Sequence, residues 1–119
     1  MKTQEIANKL VAYCRAGNFE AAQRDLFAAD ATSTEPTDTP TSPKVTTGLP
    51  AIIEKGKKFA ATIEKVHSTT VSDPLVTDNV IALTMVLDVK MKGRPREKLS
   101  ELCVYQVKDS KIVSEHFHM

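Results

Sequence analysis

Apolar residues near the start of the chain recur at helical spacing. Ile6, Leu10, Val11 and Cys14 make one stripe, with Thr3 as the expected N-cap and Gly17-Asn18 as the stop. A second helix is predicted from Phe19, Ala22, Leu26 and Phe27 on one side and Glu20, Arg24 and Asp25 on the other. The two are expected to lie antiparallel across a tight turn. A short strand follows over 31–35. Residues 36–43 then hold Pro36, Pro40 and Pro43 and read as a loop, since proline supplies no amide donor. A third helix is predicted from Leu49 to about Glu64, with Pro50 in its first turn. Ile52, Ile53, Phe59 and Ile63 supply its buried side, and Glu54, Lys55, Lys57, Lys58, Glu64 and Lys65 its solvated one.

From Val66 onward the pattern is β. Strands are predicted over 66–76, 80–91, 99–107 and 111–117, the last two joined by the two-residue turn Asp109-Ser110. In the second of these the odd positions Ile81, Leu83, Met85, Leu87, Val89 and Met91 are all apolar, so they face the helices. A two- or four-residue connection at Gly93 would then turn Leu102, Val104 and Gln106 inward. The Asp109-Ser110 turn would turn Val113, Glu115 and Phe117 inward in step. Glu115 becomes a carboxylate on an apolar interior face, a costly placement unless it is paired, protonated or beside a cavity. The outer face would carry Val86, Cys103, Tyr105 and Ile112, too apolar for simple solvation, which predicts a homodimer through that face. Asp88 and Glu101 would lie there too, as cross-strand partners for Lys90, Lys98 or a histidine. A β-bulge would invert such assignments locally.

The chain has 119 residues, the size of one domain, so residues 1–119 are read as a single unit. Sixteen basic against fifteen acidic residues leave a net charge of +1, which excludes the electrostatic footprint of a nucleic-acid binder. No apolar run is long enough to span a membrane, and the first residues lack a secretory h-region, so a cytoplasmic location is expected. Cys14 and Cys103 lie too far apart in sequence, with no flanking ligands, to suggest a metal site, and are read as buried free thiols. His67, His116 and His118 fall on the outer face by parity and lack a third convergent ligand. No metal and no cofactor are expected. Lys55-Gly56-Lys57-Lys58 reads as a solvated helix face.

Three stretches carry a resemblance: Leu26-Phe27-Ala28-Ala29-Asp30-Ala31-Thr32 through Glu35-Pro36, then Gly48-Leu49-Pro50-Ala51-Ile52, then Val107-Lys108-Asp109-Ser110-Lys111-Ile112-Val113. Together they resemble the SnoaL-like branch of the nuclear transport factor two-like superfamily, along essentially the whole chain. That group includes ketosteroid isomerases, polyketide cyclases, scytalone dehydratase and limonene epoxide hydrolase. The resemblance implies a cone-shaped α+β barrel, three helices packed in a curved mixed or antiparallel sheet around a central pocket, with dimers through the outer sheet face. It places Glu35-Pro36 where the isomerases carry a general-base Asp before Pro. It places Leu102 where they carry a hydrogen-bonding acid, and Leu10 where they carry an oxyanion Tyr, with Tyr13 one turn away. The acid/base Asp of the cyclases falls roughly at Phe117, with Glu115 the nearest carboxylate. Neither set is intact, and fold-level similarity does not assign chemistry.

Three functions stay open at this point. The first is a module binding a small, largely apolar molecule in a pocket lined by Tyr13, Glu35, Met85, Leu102, Val104, Glu115 and Phe117. The second is a cofactor-independent isomerase, cyclase or dehydratase in which Glu35 and Glu115 transfer protons. The third is a non-catalytic protein-interaction domain.

Overall fold

A computed structural model describes residues 1–39 and 42–119; Pro40 and Thr41 of the expected proline loop lie outside the described residues. The element order is α1 (Thr3–Arg15), α2 (Phe19–Leu26), β1 (Phe27–Thr34), β2 (Val45–Thr47), α3 (Leu49–Ala61), β3 (Ile63–Val71), β4 (Leu75–Val76), β5 (Val80–Met91), β6 (Glu97–Lys108) and β7 (Lys111–His118). The strands form one mixed sheet in the order β2-β1-β7-β6-β5-β3, with β4 paired to β5. β1 and β7 run parallel and the other pairs antiparallel. This is the expected α+β architecture, with the helices against one curved face.

The α1 stripe is buried as its spacing requires, Ile6, Leu10, Val11 and Cys14 together with Ala7. It packs on Ile81, Leu83, Met85, Cys103, Tyr105 and Ile112, which are the inward positions of the sheet. Local boundaries differ from expectation in several places, among them an unexpected short β2 and a β6 that begins at Glu97. The α1 N-cap is Lys2, and the Thr3 hydroxyl instead donates to the Asp78 carbonyl at 2.6 Å. Phe27 opens β1 opposite Ile112 rather than closing α2, because a short apolar run satisfies either period and the ladder decides. Helix α3 stops at Ala61, where Ile63 is taken into the sheet opposite Met91. The expected 66–76 strand is split into β3 and β4 and begins earlier.

Two details reset the face assignments. Extending the register from Val89↔Glu97 leaves Lys92, Gly93 and Arg94 at the β5–β6 tip, with Gly93 at φ +73° and Arg94 N–H donating to the Met91 carbonyl. A three-residue tip pairs odd with odd, so Cys103, Tyr105 and Glu101 turn inward, opposite Leu83, Ile81 and Met85. Leu102 and Val104 therefore face outward, Leu102 being 42% exposed. The second detail is a bulge in β7. Val107 pairs with Ile112 but Gln106 pairs with Ser114, leaving Val113 as the extra residue. Ile112 and Glu115, three apart, consequently both face the interior. The two shifts cancel for Glu115 and Phe117, which point inward as expected.

The expected dimer-face set is corrected accordingly. Cys103, Tyr105 and Ile112 are core residues, with Tyr105 meeting Phe27 edge-on at 6.5 Å; of the four, only Val86 stays on the outer face. No helix among the described residues is long and apolar enough to cross a membrane.

Candidate functional site

The β1 alternation Ala31, Ser33 points these side chains at the helices, and Glu35 follows one step beyond the strand. Its backbone N–H is fixed by the Lys44 carbonyl at 2.7 Å. Ser33 lies beside Thr46 on one flank and Glu115 on the other, and Glu115 lies beside Tyr105, so one inward row crosses four strands. Above it, helical spacing puts Ile52, Lys55 and Phe59 on one stripe of α3. Ile52 fills the core and Lys55 reaches the sheet, while Phe59, expected on the buried side, is 42% exposed.

Lys55 is the hub. Its Nζ donates to Ser33 Oγ at 2.6 Å and to Glu35 Oε1 at 2.8 Å, and sits 5.6 Å from the centre of the Phe117 ring, within cation–π range. The Lys55 and Glu35 side chains are 16% and 27% exposed. The solvated role expected for Lys55 is therefore wrong: three residues on from the buried Ile52, it lies on the face of α3 that meets the sheet.

Ser33 is fully buried and Glu115 is 4% exposed. Burial pushes Glu115 up to about 7; the Ser33 hydrogen bond and the Lys55 charge oppose that rise, while the Glu35 and Glu101 charges add to it. Glu101, on the inner face rather than beside Asp88, is raised by burial and then by Glu35, against a hydrogen bond from Cys103 and the Lys55 charge. Burial likewise pushes Cys14 up to about 12 and raises Cys103, so both are inert free thiols.

Glu35 and Glu115 are brought together around one ammonium group, and Phe117 joins them. Met85 is buried beside Glu101. Leu102 and Val104 are excluded from the interior by the sheet register. Tyr13 is engaged elsewhere, its hydroxyl donating to Asp25 Oδ2 at 2.8 Å across the α1–α2 junction. Asp88 lies opposite Lys98 across the β5–β6 ladder, as expected, while its two hydrogen bonds, of 2.9 and 2.8 Å, come from Arg96. Among the described residues no group of His, Cys, Asp and Glu could hold a metal ion.

On the inner face of the sheet Leu87, Leu99, Glu101 and Phe117 are only partly buried, whereas Glu115 is buried. Two open surface depressions lie elsewhere. One, of about 430 Å³, runs between the start of α1 and the turns at Asp78 and Asp109; the other, of about 380 Å³, lies at Asp88 and Arg96.

The SnoaL-like domain family model matches residues 1–119, and the chain belongs to that family. No curated protein matches it. Among solved structures it is similar to a candidate SnoaL-like polyketide cyclase from Mesorhizobium loti, with 28% identity, full coverage of both chains and a TM-score of 0.92. It shares its fold with a Mycobacterium tuberculosis protein in complex with estradiol-17beta-hemisuccinate (16% identity, TM-score 0.75, 100% and 95% of the two chains). The same holds for a Catenulispora acidiphila protein of ketosteroid isomerase-like fold in complex with trimethylamine (22% identity, TM-score 0.75, 97% and 85% of the two chains).

Proposed function

We propose that this protein binds a small, largely apolar molecule against the partly open inner face of the sheet at Leu87, Leu99 and Phe117, with the ligand's polar end directed at Lys55, Glu101 and Glu115. The observation that carries this reading is the set Leu87, Leu99 and Phe117: inward-facing apolar side chains left partly open beside a buried polar cluster. The ligand-bound relatives, each of the same fold, support it. In thermal denaturation against a panel of apolar ketones and alcohols, a ligand at a hundredfold excess over its Kd should raise Tm by roughly 8 °C. Leu99→Glu should abolish the shift. A panel without any shift, together with native mass spectra showing only the bare chain, would remove the binding reading.

A second reading is favoured by one observation, a buried carboxylate poised near neutrality beside an ammonium and a hydroxyl. Here Glu115 moves a proton on the bound molecule without a cofactor, as an isomerase, cyclase or dehydratase would require, and Glu35 holds Lys55 in place. Exchange of the α-deuterium of a bound ketone with water should fall about 100-fold in Glu115→Gln. An unchanged rate would exclude Glu115.

The outer face supports a homodimer through a corrected set, Ala82, Val86, Leu102 and Val104, which lie on β5 and β6. Sedimentation at micromolar concentration should give the dimer mass, and Leu102→Glu the monomer mass. Two free buried thiols fit a reducing, cytoplasmic compartment.

A further inference from the structure

A buried acid or base that turns over must exchange its proton with water between cycles. Glu115 has almost no surface of its own, and Ser33 beside it has none. The groups facing Glu115 are few. β1 and the residues after it contribute Ser33 and Glu35, α3 contributes Lys55, β6 contributes Glu101, Cys103 and Tyr105, and α1 contributes Cys14. Cys14, Cys103 and Tyr105 are themselves buried and hold their protons, so they offer no passage.

Hydrogen-bond bookkeeping traces the remaining route. An ammonium only donates, so Ser33 Oγ is the acceptor in the 2.6 Å contact with Lys55. The one hydroxyl hydrogen of Ser33 is then free for Glu115, its neighbour in the parallel β1–β7 register. On the other side of Lys55, Glu35 accepts at 2.8 Å and keeps part of its surface in water.

We propose that Glu35, Lys55 and Ser33 form a proton relay joining the interior carboxylate of Glu115 to solvent at the edge of the sheet, an inference that rests on the proton-transfer reading above. In the inward direction, the O–H bond of Ser33 breaks as its proton passes to the Glu115 carboxylate, while Ser33 Oγ takes a proton from the Lys55 ammonium, whose N–H bond breaks. Lys55 is left as a neutral amine with a lone pair. Glu35, protonated from water, then gives up its O–H proton to that lone pair and returns to the carboxylate, which restores the ammonium. One proton has moved from water to Glu115, and the ammonium and the hydroxyl are restored. The outward direction is the reverse. Ser33 is thus a positioning residue for Glu115 and need not touch the substrate.

The test is NMR of the full chain with carboxyl-labelled glutamate, which follows the Glu115 carboxyl through its titration. In the native chain a single averaged resonance should move with pH. In Ser33→Ala and in Lys55→Met, exchange should slow by about tenfold or more, broadening the signal or splitting it into protonated and ionised forms. Ser33→Thr, which keeps the hydroxyl, should restore averaging. Amide spectra confirm that each variant is folded, and Lys55→Met stands in if Ser33→Ala is not. Exchange as fast in both variants as in the native chain would overturn the relay and leave the partly open inner face at Glu101 as the route. A Glu115 resonance that does not move between about pH 5 and about pH 9 is a different failure, sinking the proton-transfer reading itself.

Discussion

Glu115→Gln is expected to make the protein more stable than the native chain at pH 9, by about 3 kcal/mol, and to change its stability little at pH 4. The folded-state value of about 7 lies above the ordinary 4.5 of a free glutamate. The folded state therefore binds more protons than the unfolded one between those two values. Stability falls as pH rises through that window, and above it the native chain carries the full cost of a buried charge. Glutamine keeps the shape and can still bond Ser33, but has no charge to bury. Urea denaturation at both pH values measures the difference. A variant less stable than the native chain at pH 9 would mean that Lys55 stabilises the Glu115 carboxylate outright.

Lys55→Met is expected to cost about 2–3 kcal/mol at pH 7, because removing one member of a sheltered ion pair strands the other. Glu35 and Ser33 lose their partner, and Glu35, Glu101 and Glu115 are left facing a shared interior without a cation. The Glu115 titration should move above 7 in the variant, since the Lys55 charge now holds it down. The alkaline end of the stability loss then moves with it. Equilibrium denaturation reads the first effect and carboxyl NMR the second. A cost below about 0.5 kcal/mol would return Lys55 to the solvated face that its neighbours Lys57 and Lys58 occupy.

Much of this was legible in the residues. The three helices, the four long strands and the isolated carboxylate at 115 follow from apolar spacing, because burial enforces period 3.6 or period 2 wherever one face meets the core. Two things were not legible. Strand parity beyond Gly93 depends on whether the tip holds an even or an odd number of residues, and Lys92-Gly93-Arg94-Pro95 is compatible with both. That one bit sent Leu102 and Val104 to the wrong side and misplaced Cys103, Tyr105 and Glu101. The hub was hidden for another reason: Lys55 sits in a run of lysines, and its long stem lets a charge cross from helix to sheet. Only its phase three residues on from Ile52 distinguishes it from Lys57 and Lys58, and only the step from Ala31 to Glu35 marks Ser33. Charged groups that serve a site are chosen by partners distant in sequence, so composition reads them as surface.

The extra residue at Val113 acts as an expansion joint in β7. Upstream of it, Ile112 is held by the β6 hairpin and the core beneath α1. Downstream, the neighbours Thr32, Ser33 and Thr34 of β1 hold Ser114, Glu115 and His116 in register. The two halves of the strand are thus clamped by different parts of the molecule, with slack between them. A change of length near Asp109-Ser110 can be taken up at the joint, while the carboxylate stays locked to Ser33. The chain can vary this exposed turn without disturbing Glu115 in its interior.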